Sequence, residues 1–380
     1  MRIAHISDTH LGYRQYNLDE RENDIYDAFN EAIDIIIEER VDVVIHAGDF
    51  FDTPRPPIKA LYVAKEAIKR LHENGVKILT VLGEHDTPKR RAMPPHKLLD
   101  IPILGIGEVN VVEVNGVGFF GISNMKGKRV DLLKQELSKV DALANRYSKA
   151  VLIAHQGIKK YLPFEGAYEL ELGDLPKEID YYAFGHIHRR TFEKFGRGYL
   201  AYSGSIEILS RSEITDWKRD GKGIYIVDLE GDLPEVHKIS LQQIRPQFEL
   251  SYSEGDVIEE LKAFLYNLLK NPLDKSPILR INISGEGIRK PEILEKVQYL
   301  LRKMVPEKVL RYDVHFVGSD APITITAEEL GKIVDLEELF IEYLGDETLG
   351  HLAFELYKSL QYGDVEGGIE ICKEYLEGRK

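Results

Sequence analysis

Short apolar runs alternate with amphipathic stretches through the first 242 residues, and the runs end on polar or glycine-rich positions. "RIAHISD" predicts a strand, and residues 20–39 follow as a helix with Ile25, Phe29, Ala32, Ile33 and Ile36 at helical spacing. "VDVVIHAGD" predicts a second buried strand, residues 57–74 a helix stopped by Gly75, and "VKILTVLG" a third strand. Asn115-Gly116 between "VNVVEV" and "VGFFGIS" predicts a hairpin. A helix is expected near 130–147, then strands at "AVLIAHQG", "YYAFGHIH", "GYLAYSGS", "KGIYIVDLEG" and "EVHKISL". This alternation predicts a layered α/β domain with its polar motifs just past strand ends, where open α/β sheets hold ligands.

From residue 245 the style changes. A strand around Phe248, a helix over 256–270, the strand "ILRINISG", a helix over 291–304 and the strand "VLRYDVHFVG" predict a small α+β domain. Beyond "GSDAPIT" the chain is expected to be helical from about 327 to 378, with Gly345 and Gly363 as breaks. The expected organisation is 1–242, 243–320 and 321–380, which suits a length of 380 residues.

With 43% hydrophobic and 30% charged residues, the chain reads as globular. Neither a membrane-spanning run nor a signal peptide is visible, so no membrane is expected as a partner. The single cysteine, Cys372, cannot form an internal disulfide and suits a reducing cytoplasm. Few Cys and Met beside many Glu, Lys and Ile suit a thermophilic source. A net charge of −14 argues against broad, nonspecific binding of nucleic acid but leaves room for a local basic groove.

Five short motifs each close an expected strand: Asp8-x-His10, Gly48-Asp49-x-x-Asp52, Gly83-Glu84-His85-Asp86, His155, and Gly185-His186-x-His188. Imidazole and carboxylate ligands suit borderline divalent metals, and a two-oxygen carboxylate such as Asp49 is able to bridge two ions. Each motif alone is common; all five in this order point to a dinuclear metal site.

That order resembles the calcineurin-like metallophosphoesterase superfamily. The fuller matches "SDTHLGYRQY", "AGDFFDTPRPP", "LIAHQG", "YYAFGHIHRR" and "YSGS" resemble the Mre-eleven (SbcD) nucleases of double-strand-break repair. The resemblance implies a four-layer metallophosphoesterase β-sandwich flanked by helices, an α+β domain that caps DNA, and a helical segment that binds a Rad-fifty (SbcC) ATPase. It implies one metal on Asp8, His10, Asp49 and His188, and a second on Asp49, residue 84, His155 and His186. The metal is usually manganese, with magnesium an alternative. His85 would orient or protonate the departing oxygen, a task suited to an imidazole of ordinary pKa near 6.5. DNA ends, duplex and single-stranded, would be the substrate of 3′-to-5′ exonuclease and single-strand endonuclease action. The resemblance further implies a homodimer, through the helix of Leu61 and Ile68 and the segment "HKLLDIPILG", and a prokaryotic, nucleoid-associated location.

Two positions depart from that family. Residue 84 is commonly Asn and here is Glu84; residue 52 is a histidine in several relatives and here is Asp52. Two divalent ions bring about +4, and Asp8, Asp49 and a hydroxide about −3, so an anionic Glu84 brings the site to about zero. The second ion would bind more tightly and polarise phosphate less, with Lys89, Arg90 and Arg91 partly restoring the field. Alternatively Glu84 turns away and leaves its place to water. Arg14, Arg55, Lys89, Arg90, Arg91, Lys159, Lys160, Arg189 and Arg190 all lie close to a metal motif, which makes a polyanionic substrate compatible with the acidic whole. Tyr13 and Tyr16 would touch bases or simply pack.

His5 and His46 are expected as core histidines, and His72, His96, His237, His315 and His351 as structural or surface groups far from the motifs. Asp86 is expected to support its loop, Asp52 to be a partner of a ligand or a helix cap, and Ser203 and Ser205 to line the site or make a turn. No G-x-x-x-x-G-K-[ST] loop occurs, so any ATP-driven step belongs to another protein. Two other functions share the motifs: a phosphodiesterase acting on small nucleotides, and a scaffold of this fold with weakened catalysis. The basic loops and extra domains oppose the first, and the otherwise intact motif set opposes the second. Replacing Glu84→Asn is expected to raise the manganese concentration for half-maximal activity in a metal titration; an unchanged requirement contradicts the charge argument.

Overall fold

A computed structural model describes residues 1–88, 93–162, 164, 166–285, 290–305, 308–317, 340–341 and 344–361, with 369, 371, 372 and 375 beyond them. Two six-stranded sheets form the centre. The first runs β12 (Glu235–Ser240), β11 (Gly223–Asp228), β1 (Arg2–Ile6), β2 (Val43–His46), β3 (Lys77–Val81), β4 (Ile103–Leu104). The second runs β5 (Asn110–Val114), β6 (Val117–Ile122), β7 (Lys149–His155), β8 (Tyr181–Gly185), β10 (Gly198–Tyr202), β9 (Thr191–Phe195). In the first sheet β1, β2 and β3 are parallel, as are β6, β7 and β8 in the second. Parallel neighbours end on the same side, so the loops that follow them gather at one edge.

The strands are apolar on both faces because both are covered. Ile3, Val43, Ile45, Val81, Phe119, Val151, Ile153, Tyr181 and Ala183 fill the space between the sheets. Their sequence neighbours point outward: Ala4 and Val44 pack under α1 (Asp19–Glu38) and α2 (Ile58–Glu73), and Phe120, Leu152 and Ala154 pack with α3 (Val130–Leu137) and α4 (Val140–Ala144). The result is four layers, helix, sheet, sheet, helix, as expected. The helix expected over 130–147 is broken into α3 and α4, and β4, β9 and α5 (Glu213–Asp220) were not foreseen. His5 and His46 are core histidines: His5 meets the Tyr181 hydroxyl at 2.9 Å, and His46 meets Thr9 Oγ1 at 3.0 Å.

A three-stranded sheet, β13 (Gln247–Ser253), β14 (Ile278–Ser284), β15 (Arg311–Val317), carries α6 (Val257–Lys270) and α7 (Lys290–Met304). It belongs to the same compact unit as the two large sheets, Met1–Ser284 with Arg289–Phe316. The second unit, Gly285–Ile288 with Val317–Lys380, contains α8 (Glu347–Gln361), which follows a turn at Gly345. Most of the helical tail expected over 327–378, Gly363 included, lies outside the described residues. No described helix is long and apolar enough to cross a membrane.

A buried ion cluster ties the third sheet to α1. Asp24 accepts from Arg21 Nη1 at 2.6 Å and from Arg245 Nε and Nη2 at 2.5 and 2.9 Å, and Lys275 Nζ lies 3.0 Å away. Arg21 also meets buried Glu207 at 3.4 Å. Burial opposes the Asp24 charge, but Arg245, Arg21 and Lys275 hold its carboxyl below the usual range. Removing one partner of such a cluster strands the others without compensation. Asp24→Asn is therefore expected to cost about 3 kcal/mol or more in denaturant unfolding, an effect of the size seen for broken buried pairs.

Candidate metal centre

The gathered strand ends bring the backbones of three of the five motifs into strained conformations. Asp8, His10, Asp49 and His186 all have positive φ (51°, 43°, 52° and 91°), a region costly to non-glycine residues and common at functional sites. Backbone bonds lock the first two loops together: Asp8 N–H to Gly48 O and His10 N–H to Asp49 O, each 3.0 Å. Gly83 is required by close approach, since a Cβ there would stand 2.1 Å from Asp49 Oδ1. At Gly48, with φ of 89°, a Cβ would stand 2.5 Å from His155 Nδ1. Asp86 does support its loop: its carboxylate accepts the amides of Phe50, Phe51 and Gly83 at 3.0, 3.0 and 3.1 Å.

At the centre stands Asp49. Its Oδ1 accepts the His85 amide at 2.8 Å, which leaves Oδ2 facing His155 Nε2 at 3.1 Å and His10 Nε2 at 3.8 Å. Asp8 Oδ1 lies 3.8 Å from His188 Nε2 and accepts the His186 amide at 3.0 Å. Among the described residues three sets of donors come within 4.8 Å of one another; two are drawn from the expected ligands, Asp8, His10 and His188, and Asp8, Asp49 and His155, and the third is His10, Asp52 and His85. The second nitrogens of the histidines are spoken for, His155 Nδ1 by Ala47 O at 2.8 Å and His188 Nδ1 by Glu213 Oε1 at 3.0 Å. Each Nε2 is thereby directed inward. His186 stacks edge-on to His155 at 5.3 Å between ring centroids.

These residues fit a pair of divalent cations. Nε2 of His10 is buried without a hydrogen-bond partner, and the donors are the imidazoles and carboxylates such ions take. Charge tells the same story. Burial disfavours the His155 imidazolium, yet Asp49 and Asp8 raise its pKa to about 10, so a proton sits where a cation is wanted. Burial likewise opposes the Asp49 charge, and His155, His10 and His85 overcome it and hold the carboxyl well below its usual range. Burial and His155 together press His186 down to about 4.

Glu84 stands apart from those two sets. It is exposed, and its Oε1 pairs with Lys126 Nζ. Burial opposes its charge while Lys126 and His186 lower its pKa. The cation beside Glu84 is thus Lys126, more than 40 positions away in sequence; Lys89, Arg90 and Arg91, expected in that role, lie outside the described residues. Asp52 touches two site histidines, its Oδ1 3.3 Å from His10 Nδ1 and its carbonyl oxygen 2.7 Å from His85 Nδ1. Pro57, and no side chain, stands at the start of α2. Ser203 meets Ser7 at 2.8 Å, and Ser205 meets Glu213 at 2.8 Å.

Several basic residues are engaged elsewhere. Arg190 is 4% exposed and bonds the carbonyls of Ile224 and Ile239, so it is a strut and not a phosphate guide. Arg14 pairs with Asp19, Lys159 with Glu171, and Lys160 with Glu193, while Arg55 is exposed. Tyr16 is held between Arg280, bonded to its hydroxyl at 2.7 Å, and Arg311, 4.7 Å above its ring. His96, expected far from the motifs, is fully buried 3.9 Å from Asp86 and packs on Phe50 and Phe51. Glu213 and Lys222, which back the site, were missed altogether.

Because His155 must lose its proton to bind an ion, uptake of a divalent metal at pH 7 is expected to release about one proton per protein. Affinity should then rise with pH as that site approaches its pKa of about 10. Calorimetry in buffers of different ionisation enthalpy measures the release; a buffer-independent heat would contradict it.

The Calcineurin-like phosphoesterase family model matches residues 1–190. A DNA double-strand break repair protein Mre11 of Methanocaldococcus jannaschii is 38% identical over 99% of this chain and 98% of its own length. One of Sulfurisphaera tokodaii is 36% identical over 96% and 90%, and one of Sulfolobus acidocaldarius 40% over 79% of each. Among solved structures, a dimetal phosphatase from Danio rerio covers 62% of this chain and 98% of its own at 13% identity and a TM-score of 0.41, too distant to bear on mechanism. The calcineurin-like fold implies a dinuclear divalent metal site, and the strand-end cluster is where this chain gathers the donors for one. Identity of 38% across nearly the whole length places the chain in the Mre11 family of metal-dependent phosphoesterases.

Proposed function

We propose that this protein is a two-metal DNA nuclease that processes the ends of double-strand breaks. The observation that carries the reading is the convergence of His10 and His155 on one oxygen of Asp49, with His85 beside it. Asp8, His10, Asp49 and His188 would hold one ion, and Asp49, His155 and His186 the other, with manganese the natural choice and magnesium an alternative. Glu84 either completes the second set by leaving Lys126 or stays with Lys126 and leaves the position to water. When bound, the two ions supply Lewis acidity at the phosphoryl oxygens and lower the pKa of water.

The chain's own groups do the rest. Donation from His85 Nδ1–H to Asp52 O at 2.7 Å fixes that ring, and in the doubly protonated imidazolium Nε2–H is the proton that would pass to the departing deoxyribose oxygen, leaving His85 neutral. The ring is about half exposed, as a group that meets an arriving substrate must be. Arg55, which is exposed, and Arg14, on exchanging its exposed partner Asp19 for a phosphate, would contact the DNA backbone. Residues 243–320 would cap the DNA, and the segment 321–380, which contains α8, would bind a Rad-fifty (SbcC)-type ATPase. The exposed side chains of Ile58, Tyr62 and Leu98, at 84%, 63% and 65%, support a homodimer through α2 and the segment after it.

Manganese-loaded protein is expected to degrade end-labelled DNA, and His85→Asn to lower that rate by about 100-fold or more, the usual worth of general acid catalysis. Metal binding should be unchanged in that variant. Cleavage of a small chromogenic diester without cleavage of DNA would favour the small-nucleotide phosphodiesterase instead.

A further inference from the structure

Beneath His188 lies a buried ion pair that no part of the reaction described so far uses. Glu213, the first residue of α5, is 4% exposed, and Lys222, just before β11, is 1% exposed. Oε1 of Glu213 accepts from His188 Nδ1 at 3.0 Å and from Ser210 Oγ at 2.9 Å. Its Oε2 accepts from Ser205 Oγ at 2.8 Å, from the Leu209 amide at 3.4 Å, and from Lys222 Nζ. Lys222 also donates to Ser205 Oγ at 2.6 Å and to the His188 carbonyl at 3.1 Å. Both carboxylate oxygens and the ammonium are thus saturated, as burial demands.

We infer that Glu213, anchored by Lys222 and Ser205, is the positioning residue that makes His188 a metal ligand. A free imidazole chooses between two tautomers and rotates. Glu213 accepts only from a protonated Nδ1, which makes Nε2 the bare nitrogen and aims it at Asp8 Oδ1, 3.8 Å away. Lys222 keeps the carboxylate anionic in a buried place and, through the His188 carbonyl, fixes the backbone of the same residue. A pair present only to join α5 to β11 would not have to reach His188 twice, once at its ring and once at its backbone.

A buried ion pair is often replaceable by apolar groups without loss of stability. The test is therefore the double variant Glu213→Met/Lys222→Met, which removes the orienting carboxylate without stranding a charge. The inference rests on the two-ion reading, so the wild-type protein is titrated with manganese first, by calorimetry and by electron paramagnetic resonance. Two bound ions with a spin-coupled signal are expected. The double variant should bind one ion about 10- to 100-fold more weakly, the usual cost of losing such a partner, and the other as before. At the concentration that saturates the wild type it should show the uncoupled signal of a single ion. Asp24→Asn, which disturbs a different buried cluster, should leave both affinities in place. A folded double variant with wild-type affinities and coupling overturns the inference alone; a wild type that never binds two ions overturns both readings. If the double variant fails to fold, Glu213→Leu/Lys222→Leu, which likewise lacks an acceptor for His188 Nδ1, is read by the same titration, and wild-type affinity for both ions there overturns the inference.

Discussion

One carboxylate oxygen, Asp49 Oδ2, organises the site: it stands between two inward-facing imidazoles because everything around it leaves no other place. The positive φ of Asp49 throws its side chain off the end of β2, the missing Cβ of Gly83 makes room, and the His85 amide occupies the other oxygen. Asp86 pins the amides on either side of this arrangement. The sandwich below is the rigid support this needs, since the parallel strands β1–β3 and β6–β8 end together and their hydrophobic faces allow no slip in register.

Electrostatics set the second level. Without a cation the site is over-acidic, and the protein answers by protonating His155 and depressing His186 beside it. Glu84 would add to that excess were it not held by Lys126. The two side chains meet as opposite charges, so the glutamate and the lysine form a unit. Changing either alone leaves the other's charge without its partner.

How much of this the sequence disclosed depended on distance along the chain. The convergence of the polar motifs was legible because each lies at the end of an apolar run, and a strand end is a local pattern. The two-layered core was legible too, since alternating residues such as Val151 and Leu152 are both apolar and so need cover on both faces. Lys126, Glu213 and Lys222 were not, because nothing near them in sequence marks the histidine or acid they meet. Arg190 was misjudged for the converse reason: closeness in sequence to His188 says nothing about which way its side chain turns. The break between α3 and α4 falls in a run with no glycine or proline to announce it.

Tyr16 ends as something other than a surface for bases. Its ring and hydroxyl are gripped by Arg280 of β14 and Arg311 of β15, and it sits six residues beyond His10. Tyr16 and Asn17 both have positive φ, so the chain bends sharply where it is gripped. One aromatic ring thus joins the third sheet to the stretch that follows His10. Neither could shift without moving Tyr16 or breaking its hold on the two arginines.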